Sequence, residues 1–76
     1  MALITIERPV AKVTRFTARD AEGNEYKWAF WFDKGYKSWF LRDCDGYERR
    51  MADNWIDSVP RIQMVLSNYG MTASIS

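Results

Sequence analysis

The chain contains no histidine, a single cysteine, only two prolines and almost no net charge, +1 over 76 residues. Each shortage excludes something. Without histidine there is no side chain that titrates unaided near neutral pH, and no Ser–His or Cys–His pair can form. Without a second cysteine there is no disulfide within the chain, and a soft metal site has neither Cys nor His to build on. The four glycines, Gly23, Gly35, Gly46 and Gly70, stand alone, so no glycine-rich phosphate loop exists. The longest apolar run, Trp28 to Phe32, is far too short to cross a bilayer. Met1-Ala2-Leu3-Ile4-Thr5 shows no basic region followed by an apolar stretch, and a lone thiol suits a reducing compartment, so the expected location is cytoplasmic.

What the chain has in quantity is aromatic rings: four Trp, four Tyr and four Phe, 16 % of the residues. A chain of this length is expected to form one domain, residues 1–76, and such a domain is marginal without help. Rings that bury roughly 150–250 Å² each supply that help. The net charge hides an uneven distribution. Residues 1–42 carry eight Lys/Arg and five acids, and residues 43–76 carry three Arg and five acids. Arg8, Lys12, Arg15 and Arg19 follow one another with no acid between them after Arg8. They are either an anion-facing stripe or the charged edge that keeps a sheet from pairing with other chains.

The first two thirds reads as strands. Leu3 to Glu7 is a short strand closed by Pro9, and Val10 to Arg19 alternates roughly in polarity. Gly23-Asn24 reads as a two-residue hairpin loop leading into the aromatic strand Tyr26 to Asp33. Lys34-Gly35 turns the chain into Ser38 to Asp43, and Asp45-Gly46 turns it again toward Tyr47 to Met51. The last third reads as a helix on the spacing of Val59, Ile62, Val65, Leu66 and Tyr69, with Asp57 or Ser58 as N-cap, Pro60 in the first turn and Gly70 past the end. The segment 52–56 reads either as an earlier helical turn or as a loop. No repeat and no linker is evident. The expected fold is α+β: a small antiparallel meander of three to five strands packed on one C-terminal helix.

Side chains alternate across a strand, so the loop lengths assign the faces. A two-residue loop places Val13, Arg15, Thr17 and Arg19 with Tyr26, Trp28, Phe30 and Phe32, and then with Trp39 and Leu41. That face is expected to pack on the helix. The other face carries Thr14, Phe16, Ala18, Ala29, Trp31 and Phe40. One helix covers one face, so the second is expected to expose Phe16, Trp31 and Phe40 as anchors for a protein partner or for a second copy of the chain. In the reverse arrangement Tyr26 and Trp28 lie open beside Arg8, Lys12, Arg15 and Arg19, the arrangement by which open sheets bind single-stranded nucleic acid.

Catalytic chemistry has little to stand on. Cys44 sits between Asp43 and Asp45, whose charges raise a thiol pKa and so deactivate it. The Asp43-Cys44-Asp45-Gly46 segment lacks the spacing of a calcium loop and reads as a turn. If residues 49–53 are helical, Arg49 and Asp53 form an i,i+4 pair. The expectation is a non-enzymatic interaction protein without cofactor, metal, membrane or small-molecule substrate. In strand–strand–strand–helix order, with Lys27-Trp28-Ala29-Phe30 leading to the Lys34-Gly35 turn, the chain is similar to three-stranded DNA-binding domains such as the arm-binding domains of phage integrases. In size, aromatic richness and lack of catalytic groups it resembles accessory proteins of phages and mobile elements, among them inhibitors of host defence complexes.

Overall fold

The computed structural model describes residues 13–73. The expected strand Leu3 to Glu7, Pro9, and the basic residues Arg8 and Lys12 lie outside that range. Within it the elements are β1 (Thr14–Asp20), β2 (Glu25–Asp33), β3 (Ser38–Arg42), β4 (Glu48–Arg50), α1 (Trp55–Asn68) and β5 (Met71–Thr72). The five strands form one antiparallel, curled sheet in the order β4-β3-β2-β1-β5. The expected class, an antiparallel meander with one helix, is the fold. Thr72, read from the sequence as the start of a polar tail, is instead paired with Arg19 of β1.

The hairpin between β1 and β2 overturns one expectation with consequences for everything that follows. Gly23-Asn24 is not a two-residue loop. The N–H of Asp20 donates to the carbonyl of Asn24 and that of Gly23 to the carbonyl of Asp20, so Ala21, Glu22 and Gly23 form a three-residue loop with Gly23 at φ +85°. This is a turn closed by a bulge whose last residue must be left-handed, which glycine tolerates at no steric cost. An odd loop length shifts the register by one and exchanges the faces of β1. Phe16 pairs with Trp28, Thr14 with Phe30 and Ala18 with Tyr26, whereas Arg15 pairs with Ala29 and Arg19 with Glu25.

The same device recurs between β3 and β4. Asp43 N–H donates to Tyr47 O, Gly46 N–H to Asp43 O, and Gly46 lies at φ +89°. Alignment of the two loops shows a repeat that the sequence reading did not recognise: Arg19-Asp20-Ala21-Glu22-Gly23-Asn24-Glu25 and Arg42-Asp43-Cys44-Asp45-Gly46-Tyr47-Glu48. Every functional position matches. The Asp Oδ1 accepts two loop N–H groups, from Glu22 and Asn24 in one copy and from Asp45 and Tyr47 in the other. Each loop is flanked by an Arg–Glu pair, Arg19–Glu25 at 2.6 Å and Arg42–Glu48 at 2.9 Å. A tyrosine hydroxyl closes each Asp from the far side, Tyr26 on Asp20 and Tyr69 on Asp43. The four-residue loop between β2 and β3 differs; there Asp33 Oδ1 accepts from Gly35 and Tyr36, and the left-handed residue is Lys37 (φ 53°) rather than Gly35.

α1 begins earlier than its spacing suggests. Asn54, not Asp57 or Ser58, is the N-cap: its side chain accepts from the N–H of Asp57 at 2.8 Å. Trp55 and Ile56 therefore belong to the first turn, and Pro60 lies inside the helix. Its ring removes one i→i−4 bond, and the buried Ser58 hydroxyl donates to the Asn54 carbonyl at 2.7 Å in the turn before it. Residues 49–53 are not helical, so Arg49 pairs with Asp43 and Arg50 with Asp53 instead of Arg49 with Asp53.

The core lies between α1 and one face of the sheet. Ala18, Trp28, Leu41, Met51, Ile62, Leu66 and Met71 form its buried centre, with Phe16, Tyr26, Phe30, Trp39, Trp55, Val65 and Tyr69 packed around it. The expectation that Tyr26, Trp28, Phe30, Trp39 and Leu41 meet the helix holds. Phe16 joins them, packing on Trp28 and Phe30 at ring separations of 6.2 and 5.7 Å. Trp55 enters the same layer, 4.9 Å from Phe30 and 4.7 Å from Trp39. No helix among the described residues is long and apolar enough to cross a membrane.

Candidate binding face of the sheet

The face turned away from α1 is read directly from the pairing. Across the middle run Arg15, Ala29, Arg42 and Glu48, one from each of four adjacent strands. The neighbouring rank on one side is Trp31, Phe40 and Arg50, and on the other Thr17 and Lys27. Ala29 is the smallest side chain in the centre, and it lies between two arginines. The result is a shallow depression of about 110 Å³ lined by Arg15, Lys27, Ala29 and Arg42, with Trp28 and Asp43 completing the wall.

The cations around this depression differ in how they are held. Arg42 donates through Nε and Nη2 to Glu48, and its guanidinium lies 5.2 Å from the ring centre of Trp31. It is fixed from two sides. Arg15 and Lys27 are exposed and form no ion pair with any described residue. Beside them Trp31 stacks on Phe40 with ring centres 6.0 Å apart and planes 13° off parallel, and Phe40 in turn meets Tyr36 at 5.5 Å. Trp31 is only 5 % exposed, Phe40 is half-buried, and Tyr36 is 62 % exposed. The Phe40 end is braced by Arg50, whose Nε donates to Ser38 Oγ at 2.8 Å and whose Nη2 donates to Asp53 at 3.0 Å.

The residues singled out from the sequence are thus redistributed. Trp31 and Phe40 share the face turned away from α1 and touch, but Trp31 is buried there, against the expectation of an exposed anchor. Phe16 lies on the helix side and is no part of that patch. Arg15 and Arg19 are on the open face, but Tyr26 and Trp28 are behind it, Trp28 at 2 % exposure with its ring edge-on to Tyr69 at 5.1 Å. The basic stripe and those two rings therefore do not form one surface. Arg8 and Lys12 fall outside the described residues. Sequence reasoning missed Lys27 and Arg42. The signal that finds them is the alternation along β2 and β3, which puts both on the face of Ala29, Trp31 and Phe40, while the repeated Arg-Asp-x-acid-Gly-x-Glu loop fixes an odd loop length and so sets Arg15 beside Ala29.

A second cluster carries perturbed ionisation, and perturbed groups often mark functional sites. Burial pushes the Asp43 carboxyl up, yet hydrogen bonds from Tyr69, Arg49 and the N–H groups of Tyr47 and Asp45 outweigh burial and hold its pKa at about 2. Tyr69 is raised by donating to Asp43. Arg49 lies over the rings of Tyr47 and Tyr69 at 4.6 and 5.7 Å. Every group here is spent on a partner inside the fold, and the cluster ties the β3–β4 loop to the end of α1. Its role is structural. The Cys44 thiol is pushed up by burial and then by Asp45 and Asp43, as its flanking charges predict. Among the described residues no three of Cys, Asp and Glu gather so as to hold a metal ion.

Comparison of the chain with known protein families, curated proteins and solved structures finds no match.

Proposed function

We propose that the chain is a non-enzymatic binding protein that docks an acidic surface of a partner protein on the open face of its sheet. The observation that carries this is Arg15 and Lys27, which form no ion pair with any described residue, set with the anchored Arg42 around Ala29 and bordered by the Trp31–Phe40 stack. Arginine and aromatic side chains are the residues enriched where protein interfaces concentrate their energy. Arg42 is already held by Glu48 and Trp31, so little ordering remains for binding to impose on it. The rings also favour protein over nucleic acid. Base stacking needs free aromatic faces, but Trp31 lies between Phe40 and Arg42, and Tyr26 and Trp28 belong to the helix side. Glu25 and Glu48 on the same face oppose phosphate yet suit a mixed-charge protein surface. A nucleic-acid module remains the second reading, supported by the same two cations. The lone, deactivated thiol of Cys44 suits a cytoplasmic protein. The size and the lack of catalytic groups suit an accessory protein of a phage or mobile element, such as an inhibitor that occupies a host defence complex.

The test is binding to an array of Asp/Glu-rich peptides, with single-stranded DNA and RNA of matched charge in parallel. Peptides bind, and Arg15→Glu or Lys27→Glu weakens binding about tenfold each, while Asn68→Glu on the helix side changes nothing. Oligonucleotides that bind where peptides do not, with affinity falling steeply in salt, give the nucleic-acid reading instead.

A further inference from the structure

A different surface carries a further inference, independent of the sheet. The two most exposed large aliphatic side chains of the described residues are on α1: Ile56 at 82 % and Met64 at 66 %. At about 100° per residue they fall some 40° either side of Pro60, which is exposed as well. The three make a continuous apolar stripe directly opposite Ser58, Ile62 and Leu66, the residues α1 buries. A surface helix normally turns charge outward along that line. Here only Asp57 and Arg61 are charged between Trp55 and Asn68, and both lie on the same flank of the stripe.

We propose that this stripe is a self-association surface, on which α1 of a second copy of the chain packs antiparallel about a two-fold axis near Pro60. The argument is charge complementarity. A two-fold interface sets each patch against itself, so its charge pattern must match its own reverse. In an antiparallel pair centred on Pro60, Ile56 meets the second copy's Met64 and the flanks face like flanks. Asp57 then lies opposite position 63, two residues and about 3 Å along the axis from Arg61 of the second copy, within the reach of an arginine. The reciprocal pair forms at the other end. A parallel arrangement would instead set this charged flank against the uncharged flank of Val59 and Gln63 on the second copy and pair neither charge. The Arg61 side chain is already held at this flank, because Nη1 donates to the carbonyl of Met51 at 2.9 Å and leaves the other donors free to face outward. Pro60 supplies a low, rigid centre that allows two helices close approach. A single helical stripe is a small interface, so the association is weak, in the micromolar to millimolar range.

Sedimentation equilibrium across a wide concentration range tests this. The chain as it stands shows concentration-dependent dimer. Met64→Glu, an exposed position whose change leaves the fold intact by circular dichroism, weakens association about tenfold or more. Asp57→Arg and Arg61→Asp, each alone, set like charges against each other and also weaken it. An equimolar mixture of those two variants recovers the association, since each then presents what the other lacks. Monomer at every concentration overturns the proposal. So does a dimer that survives Met64→Glu, or a mixture no tighter than either variant alone. Should either charge variant fail to fold, the Met64→Glu result decides.

Discussion

Asp43→Ala lowers the free energy of unfolding by about 3 kcal/mol, measured as a reduced midpoint in chemical denaturation at unchanged slope. The carboxylate is buried, with a side-chain exposure of 0 %. It accepts from the N–H groups of Asp45 and Tyr47, from Arg49 Nη1 at 2.8 Å and from the Tyr69 hydroxyl. Alanine strips four donors of their acceptor at once and uncouples the β3–β4 loop from the end of α1. The twin position supplies an internal control. Asp20 makes the same loop contacts in the first copy of the repeat, but its ring of donors is open to water, so Asp20→Ala costs clearly less. Acid gives the same answer without mutation. With a folded-state pKa of about 2 against an ordinary 3.8, Asp43 contributes its full stabilisation above about pH 4 and loses it as pH falls toward 2. Asp43→Asn, which has no charge to lose, flattens that part of the acid profile. Tyr69 works in the opposite range: its pKa is raised above 10, so its contribution is full below that value and fades as pH rises through the folded-state pKa. A profile in Asp43→Asn as steep as in the parent would show that the acid sensitivity lies elsewhere.

Trp28→Ala costs more still, about 4 kcal/mol, and leaves the chain at the limit of folding. Trp28 is 2 % exposed at the centre of the described core, in contact with Phe16 on β1 and Tyr69 behind α1. Deleting its ring opens a cavity beneath the helix, between elements too few to collapse into it. Trp28→Phe costs less than half as much. The indole N–H of Trp28 is buried with no hydrogen-bond partner, so its removal returns the penalty of a desolvated donor against the lost ring volume. Thermal denaturation of the two variants separates these terms. A phenylalanine variant as unstable as the alanine one would mean that the six-membered ring does not fill the site.

Much of the fold is legible in the sequence because local rules dictate it. Alternation and aromatic density mark β2 and β3. The spacing of Ile62, Val65, Leu66 and Tyr69 marks α1, and glycines at 23, 46 and 70 mark where the chain turns. The face assignment is not legible from the same clues. It depends on whether a loop holds an even or an odd number of residues, and a one-residue difference moves Phe16 into the core and Arg15 out of it. Turn residues announce a turn without stating its length. The helix start was obscured for a similar reason: Pro60 reads naturally as a first-turn residue, and only the Asn54 side chain over the Asp57 N–H shows that the helix begins about one turn earlier than Asp57 or Ser58 as N-cap would have it. The candidate site inherits the error. Trp31, Phe40, Lys27 and Arg42 follow from one hairpin, whose loop is even, whereas Arg15 belongs to a strand whose register the sequence reading inverted.

The sheet order also bears on how the chain reaches this fold. β1–β2, β2–β3 and β3–β4 are pairings between neighbours in sequence, closed by loops of three, four and three residues that cost little entropy to form. The pairing of β5 with β1, Arg19 with Thr72 and Asp20 with Met71, joins segments separated by the rest of the sheet and the whole of α1. That contact has by far the highest loop-closure cost and is poorly placed to form early. The meander can zip in sequence while β5 waits for α1 to dock. β5 therefore acts as a latch: weakening it shortens the lifetime of the folded state and leaves the rate of folding largely untouched.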